Sequence, residues 1–270
     1  MDNPLGLSIS DWVENLQSKG RFAFSLSFLQ EELPAYSDNA VKSALRRLSL
    51  KGQIVSIHKG YYLIIPPQYK SKGILPPALF LDSFMKELGR PYYVALLNAA
   101  AYHGASHQQP QEFFVVTNFP VLRPTQKKGL KINYISKKKL PEKLIEIRKT
   151  EAGFLKISNS ILTATDLIQY EKRVGGINRV AAVLTELNES LKPEDFDQHL
   201  LNHIPTSALQ RLGYLLEVVF KNQVLANALY TALKDTKAFR TPLKVSAPTK
   251  GFPLNAKWKV VINTTVNLDE

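Results

Sequence analysis

The chain has 270 residues, of which 44% are hydrophobic and 21% are charged, a balance typical of a globular protein with a substantial core. It contains no cysteine, which excludes a disulfide framework, a thiol nucleophile and a cysteine-based zinc site. We expect a cytoplasmic protein that makes no use of a membrane, because no stretch is long and apolar enough for a bilayer span and no secretory signal is recognisable.

The formal net charge of +12 is distributed unevenly along the chain. Residues 1–70 hold eight Lys and Arg against six Asp and Glu, whereas the remaining 200 residues hold 27 against 17. Most of the positive excess therefore lies in the larger, C-terminal part. Such an excess favours contact with nucleic acid or with an acidic partner, and composition leaves both open.

The first predicted elements are a helix, a short strand and a second helix. Residues 10–18 have an apolar side and end at Lys19-Gly20, and residues 21–24 suit a strand. Ser27, followed three residues later by Gln30, has the spacing of a capping box, which predicts a helix over residues 28–33. The next residues, 34–36, then form a turn.

A basic amphipathic helix is predicted after this turn. Its apolar residues recur at helical spacing on one face, at Val41, Ala44, Leu45 and Leu48. The opposite face carries the polar and cationic side chains Asn39, Lys42, Ser43, Arg46 and Arg47. Ser37 or Asp38 can cap the helix, and Gly52 suits its end. Because such side chains reach phosphates and base edges, this pattern predicts a DNA-recognition helix.

A β-hairpin follows, with strands over residues 53–57 and 61–65 and a turn at Lys59-Gly60. In such a wing, His58 and Lys59 can lie against the DNA backbone, while Tyr61 or Tyr62 packs under the helix. The order helix, strand, helix, turn, helix, hairpin predicts a winged helix-turn-helix. Winged helices also serve as protein-interaction modules, so that alternative stays open. The predicted DNA contacts are Ser37, Asn39, Lys42, Ser43, Arg46, Arg47, His58 and Lys59.

The second predicted domain begins after a proline-rich linker over residues 66–77. We expect a winged helix-turn-helix domain over residues 1–70 and a larger domain over residues 71–270. Within the larger domain, helices are predicted over 78–88, 92–102 and 163–171 and in several segments between 177 and 233, strands over 113–117, 131–135, 154–157 and 257–263, and either structure over 140–149. The fold class is therefore α+β, an N-terminal winged helix-turn-helix followed by a larger mixed α/β domain.

Candidate enzyme chemistry is weak throughout. The pairs His103/His107 and His199/His203 have chelating spacing but no acidic partner, so we expect no metal site. A nucleophile-elbow motif, Gly-x-Ser-x-Gly, does not occur, and Gly175-Gly176 lacks the other residues of a phosphate loop. The sequence therefore predicts no catalytic residues, no cofactor and no enzymatic activity.

The most distinctive feature of the larger domain is a run of basic residues. If folding brings them together, they form an electropositive surface for nucleic acid or for a partner. The candidate members of this basic patch are Arg123, Lys127, Lys128, Lys131, Lys137, Lys138 and Lys139.

Three passages resemble the AbiEi antitoxins, the antitoxin half of bacterial abortive-infection toxin-antitoxin pairs. The first is the winged helix, from residues 44–48 through Gly52-Gln53-Ile54 to residues 59–62. The second runs from Ala95 to Gly104 and continues through Gln109-Pro110 into the strand at residues 113–117. The third is the segment over residues 161–167.

The resemblance implies a repressor that binds inverted repeats in the double-stranded DNA of its own promoter. It also implies a C-terminal domain that counteracts a co-encoded nucleotidyltransferase-like toxin, without a stable complex being assumed. The alternative from the residues alone is a winged-helix transcription factor whose larger domain senses a small molecule. The family has no catalytic residues to transfer.

Overall fold

The computed structural model describes residues 7–105 and 110–268. The chain divides into two compact units that interleave along the sequence. Unit 1 comprises residues 1–92, 111–136 and 147–156, and unit 2 comprises residues 93–110, 137–146 and 157–270. These units do not correspond to a single cut near residue 70, and the domain boundary predicted there stays a prediction.

The secondary structure mixes helices and strands along the whole chain. The α-helices are α1 (Ile9–Ser18), α2 (Leu26–Glu32), α3 (Asp38–Leu50), α4 (Leu81–Glu87), α5 (Leu96–Tyr102), α6 (Ser160–Gln169), α7 (Ile177–Leu187), α8 (Gln198–His203), α9 (Thr206–Tyr214) and α10 (Gln223–Ala232). The strands are β1 (Ala23–Ser25), β2 (Ile54–His58), β3 (Tyr61–Ile64), β4 (Tyr92–Val94), β5 (Phe113–Asn118), β6 (Thr125–Lys127), β7 (Leu130–Lys137), β8 (Ile145–Thr150), β9 (Gly153–Ser158), β10 (Thr241–Pro242), β11 (Leu254–Asn255) and β12 (Val260–Val261).

The N-terminal elements have the arrangement of a winged helix. Helices α1, α2 and α3 pack with a three-stranded antiparallel sheet in the order β1-β3-β2. The centre of their core is aromatic: the ring of Trp12 meets Phe24 edge-on at 5.2 Å, and Phe24 stacks on Tyr62 at 5.4 Å. The predicted order of elements is therefore confirmed for this part of the chain.

The start of α2 differs from the prediction. Ser25, not Ser27, is the N-cap, and its hydroxyl accepts a hydrogen bond from the Phe28 amide at 3.2 Å. The helix begins earlier because Leu26 donates its amide to the carbonyl of Gly60, which fixes the strand end beside the wing turn. The predicted capping box is thus wrong, and Gln30 has another role, described below.

A six-stranded sheet has the strand order β6-β7-β5-β4-β9-β8. Residues 92–102, predicted as one helix, instead form strand β4 followed by helix α5. The break lies at Leu96, whose φ of 57° is left-handed, directly after the extended Ala95. Tyr92, Tyr93 and Val94 are aromatic or β-branched and favour a strand, and an all-apolar segment does not distinguish the two periods.

Unit 2 contains a helical core. Helix α6 is buried along nearly its whole length and packs on α5, α7 and α9. It is capped by Asn159, which accepts from the Leu162 amide at 3.0 Å, so the predicted start at Thr163 is wrong. The hydroxyl of Thr163 lies inside the helix, 2.6 Å from that of Ser158.

The C-terminal strand is shorter than predicted. Of residues 257–263, only Val260 and Val261 form a strand, and it is the centre of a small sheet with the order β10-β12-β11. Trp258, just before this strand, is buried against helix α9. With a winged helix at the N-terminus and a larger mixed part after it, the α+β fold class is confirmed. Among the helices of residues 7–105 and 110–268, none has the length and apolarity to cross a membrane.

Candidate nucleic-acid interface

Helix α3 is held by one buried face. Val41, Ala44, Leu45 and Leu48 are buried in the core of the winged helix, as the apolar spacing predicts. Ser37 is the N-cap and accepts from the Ala40 amide at 3.3 Å, while Gly52, with φ of 68°, follows the helix end. The identity of the buried face determines which side chains face solvent.

Two hydrogen bonds fix the approach of α2 and the turn to α3. The side-chain amide of Gln30 donates to a carboxylate oxygen of Asp38 at 2.9 Å, which joins α2 to the first turn of α3. The hydroxyl of Tyr36, in the turn, donates to the carbonyl of Leu7 at 3.1 Å. Asp38 also places a carboxylate at the positive end of the α3 dipole. The helix is therefore held before any ligand binds.

The outer face of α3 is cationic and solvent-exposed. Asn39, Lys42, Ser43, Arg46 and Arg47 are all exposed. Within the part of the chain that the structure describes, neither Lys42 nor the two arginines form an ion pair. An arginine with an unsatisfied planar fork can bind a phosphate or a guanine edge through two hydrogen bonds. This face thus has the chemistry of a groove-reading helix.

An open cleft of about 380 Å³ adjoins this face. It lies between the first turn of α1 and helix α3, and Ser8, Ser10, Ser43, Arg47 and Lys51 contribute polar groups to its lining. Lys51 is exposed and was not among the predicted contacts. Lys51 follows Arg47 by four residues, which places both on the same side of the helix. This spacing could have identified Lys51 as a candidate contact from the sequence.

The wing carries an exposed cation at its turn. Lys59 lies at this turn, while the ring of His58, which is also exposed, has its centroid 5.7 Å from that of Phe84. The two tyrosines of β3 face opposite ways: Tyr62 packs on the winged-helix core, and Tyr61 donates to or accepts from the Ser83 hydroxyl at 2.8 Å. Tyr62 therefore packs on the core that supports α3, and Tyr61 does not.

The predicted basic patch divides into exposed and paired members. Arg123, Lys127, Lys128, Lys138 and Lys139 are exposed. Lys131 is paired with Glu112 at 2.5 Å, and this hydrogen bond lowers the pKa of the Glu112 carboxyl.

Lys137 has a different environment from the other lysines. It donates to the fully buried Asp166 at 2.7 Å, and its own side chain is only 11% exposed. Its ammonium also lies 5.8 Å from the ring centroids of Tyr93 and Tyr170. In this structure Lys137 is therefore part of an internal cluster rather than of a surface.

The histidines form local hydrogen bonds. His103 lies 2.8 Å from the carbonyl of Ser158, and His203 lies 2.8 Å from the carbonyl of His199. His107 lies outside the described residues. Across residues 7–105 and 110–268, no group of three His, Asp or Glu side chains is placed to hold a metal ion.

These elements define a winged-helix protein that also has a larger mixed α/β part. The outer face of its helix α3 is cationic. Comparison with known proteins identifies the family of one segment of the chain. Residues 93–218 match the family model of the AbiEi antitoxin C-terminal domain. The chain thus carries an AbiEi antitoxin domain, which confirms the resemblance and supports the role of antitoxin in a toxin-antitoxin system, with a toxin as its counterpart.

The fold has a counterpart among solved structures. The chain is similar to the RV2827C protein from Mycobacterium tuberculosis, with a TM-score of 0.66 and 19% sequence identity over 97% of this chain and 95% of that one. At this identity the likeness concerns the fold alone. No curated protein matches the sequence.

Proposed function

We propose that this antitoxin is a sequence-specific DNA-binding repressor that controls its own promoter through inverted repeats. In this proposal it acts in the cytoplasm, uses no cofactor, has no enzymatic activity and counteracts a nucleotidyltransferase-like toxin. Stable binding of that toxin is not required.

The observation that carries the proposal is the outer face of α3. Five polar or cationic side chains line it, and the apolar residues of the opposite face are buried in the core. A merely solvated helix face usually mixes charges of both signs, whereas after Asp38 this helix carries only positive charge. Arg46 and Arg47 are suited to base edges, and Lys42 and Ser43 to phosphates.

The wing supports the same orientation on DNA. Lys59 lies at the tip of the β2–β3 hairpin, where it can reach a phosphate while α3 occupies the major groove. The hydrogen bond from Leu26 to Gly60, 2.7 Å long, ties this tip to the start of α2. The wing tip is therefore anchored to α2, which the hydrogen bond between Gln30 and Asp38 joins to α3.

The toxin half of the proposal rests on the AbiEi domain over residues 93–218. Repression of the operon and neutralisation of the toxin are separable activities, because the cationic helix lies outside that segment. Changes to α3 are therefore expected to abolish repression and to leave neutralisation intact.

The test is binding of the purified full-length protein to labelled DNA from its own upstream region, with a scrambled duplex as competitor at physiological salt. Selective retardation that steps through more than one complex is the expected result for repeated half-sites. Equal binding to both duplexes would reduce the activity to general charge attraction and would refute sequence-specific repression.

The toxin relationship needs a second experiment. Co-expression with the proposed nucleotidyltransferase-like toxin should restore growth that the toxin alone arrests, and the Arg46→Gln/Arg47→Gln variant should restore it equally well. Loss of rescue by that variant would show that neutralisation depends on DNA binding, against the separation proposed here.

A further inference from the structure

An open cleft of about 390 Å³ lies in the C-terminal part of unit 2. One wall is formed by the end of α9 and by the π-helical segment that continues it (Leu215–Val219). The other wall is the C-terminal stretch over residues 262–268. The volume falls within the range of about 300–1,000 Å³ that is typical of small-molecule sites.

Both walls are held by residues that do not line the cleft. The carboxylate of Glu217, in the π-helical segment, accepts hydrogen bonds from the Lys257 ammonium at 2.7 Å and from the Trp258 indole nitrogen at 2.5 Å. In the other wall, the side-chain amide of Asn263 donates to the carbonyl of Lys244 at 2.9 Å and accepts from the amide of that residue at 3.0 Å. The cleft is therefore formed without a ligand.

The backbone beside the cleft departs from a regular helix. The amide of Phe220 donates to the carbonyl of Leu215 at 2.9 Å, and Lys221, which follows, has a left-handed φ of 57°. π-Helical turns are rare and occur frequently at functional sites, and a left-handed backbone is unfavourable for a residue with a Cβ. Because this segment also supplies Val218 and Val219 to the cleft, the strain points to a function of this wall.

The lining of the cleft is mainly apolar. Five of its eight residues are aliphatic, namely Val218, Val219, Ile262, Val266 and Leu268. None of the eight is acidic or basic. Since burial of a charge without a counter-ion is unfavourable, the cleft favours a neutral ligand with an apolar body.

Tyr214 supplies the lining with a polar group that lacks a partner. The residue is only 6% exposed, and burial raises the pKa of its hydroxyl, which keeps that group neutral. Within residues 7–105 and 110–268, no other group forms a hydrogen bond with this hydroxyl. A buried tyrosine hydroxyl usually has such a partner. The Tyr214 hydroxyl is therefore available to a polar group of a ligand.

We propose that this cleft binds a small neutral molecule with an apolar body and one hydroxyl or carbonyl group, which pairs with the Tyr214 hydroxyl. The inference does not depend on the proposed DNA and toxin activities, because the wall over residues 262–268 lies outside the segment that matches the AbiEi model. A small molecule is favoured over a second copy of the chain, since a stable protein interface takes about 20–30 residues from each partner and eight line this cleft.

The experiment titrates the full-length protein with 2-naphthol, which has an aromatic body and one hydroxyl, and follows methyl NMR signals. The signals of Val218, Val219 and Ile262 should shift saturably, with a dissociation constant of about 1 mM or tighter. The charged analogue 2-naphthoate should bind more weakly, because no cation lines the cleft.

Two variants place the ligand in the cleft. Tyr214→Phe should weaken 2-naphthol binding by about three- to tenfold through the lost hydrogen bond. It should leave the melting temperature unchanged or higher, because the hydroxyl that it removes has no partner in the described ranges. Val219→Trp should fill the cleft and abolish binding, whereas Val224→Trp, at a 68% exposed position outside the lining, should not.

Each result supports or overturns the inference. Shifts that do not saturate, or an affinity for 2-naphthol that Val219→Trp leaves unchanged, would overturn it. Equal binding of 2-naphthoate, or an unchanged affinity in Tyr214→Phe, would overturn the ligand class assigned here. An affinity that falls as the protein concentration rises would show that a second copy of the chain occupies the cleft instead.

Discussion

The ammonium of Lys137 lies 2.7 Å from a carboxylate oxygen of Asp166, and the other oxygen of Asp166 accepts a hydrogen bond from the Tyr93 hydroxyl at 2.8 Å. Asp166 is completely buried, and the burial of Tyr93, with Asp166 beside it, raises the pKa of that hydroxyl well above its ordinary value. Lys137, a member of the predicted basic patch, is therefore held in the interior of unit 2.

Removing one partner of this pair should destabilise the protein strongly. Lys137→Met leaves a buried carboxylate without its counter-ion, and such losses cost about 3–5 kcal/mol of unfolding free energy. Urea denaturation measures the change. Lys131→Gln is the matched control, because its ion pair with Glu112 is about 40% exposed and should contribute no more than about 1 kcal/mol. Equal losses in the two variants would contradict the internal role of Lys137.

The outer face of α3 gives the second prediction. Replacing both arginines, Arg46→Gln/Arg47→Gln, should weaken promoter binding by about 30-fold or more, since each bidentate base contact contributes about 1–3 kcal/mol of discrimination. Binding to scrambled DNA should change less. Titration of labelled duplexes by fluorescence anisotropy measures both affinities.

The same variant should remain folded, because both side chains are exposed and substitutions at such positions usually change stability by less than about 0.5 kcal/mol. Lys19→Gln/Lys149→Gln, which removes two exposed lysines without an ion pair in the described ranges, serves as the charge-matched control. Unchanged promoter affinity in a folded Arg46/Arg47 variant would refute the assignment of α3 as the recognition helix.

The sequence was informative where the determinants are local. The four apolar residues of α3, its cap at Ser37 and the glycine at position 52 all lie within one short segment, so spacing alone identified both the helix and its outer face. Whether Lys137 is exposed or buried depends on its pairing with Asp166, 29 residues away, and no local pattern relates the two. A charge run shows where lysines occur, but not which of them find a buried carboxylate.

The helix predicted over residues 92–102 was wrong for a related reason. Except for Asn98, the segment consists of apolar and aromatic residues, so its periodicity did not indicate whether a strand or a helix would form. Pairing of Val94 with Ile157, far along the chain, determines that β4 is a strand. The cleft of unit 2 likewise brings Tyr214 together with residues 262–268, which no local pattern relates to it.

Buried tyrosines should make the protein sensitive to alkali. Burial raises the pKa of Tyr134 to about 12, although its hydrogen bond with Thr125 acts in the opposite direction. In the unfolded chain the value is about 10. Below pH 10 both states are protonated and stability is unaffected. Between pH 10 and 12 only the unfolded state releases the proton, so the unfolding free energy falls as the pH rises.

The measurement is urea denaturation at several pH values from 8 to 12. Each such tyrosine should contribute a decrease of about 1.4 kcal/mol per pH unit within its window. Tyr134→Phe should lower stability at neutral pH by the lost hydrogen bond but should make the alkaline decrease shallower by about that amount. An unchanged alkaline slope in this variant would contradict the burial of the Tyr134 hydroxyl.

Gly213 provides a prediction whose sign separates packing from helix propensity. It lies within α9, where alanine is ordinarily about 1 kcal/mol more favourable than glycine. An added Cβ, however, would lie 2.0 Å from the ring of Trp258, whose indole nitrogen is held by Glu217 at 2.5 Å. Gly213→Ala should therefore destabilise the protein by about 1–3 kcal/mol or more.

Thermal unfolding followed by far-ultraviolet circular dichroism tests this expectation. In the double variant Gly213→Ala/Trp258→Leu, leucine replaces the indole ring and the clash should disappear. Gly213→Ala should therefore lower the free energy of unfolding less in the Trp258→Leu background than in the wild type. If Gly213→Ala stabilises the protein by about 1 kcal/mol in both backgrounds, helix propensity alone decides the outcome and the close packing of Trp258 on α9 is refuted.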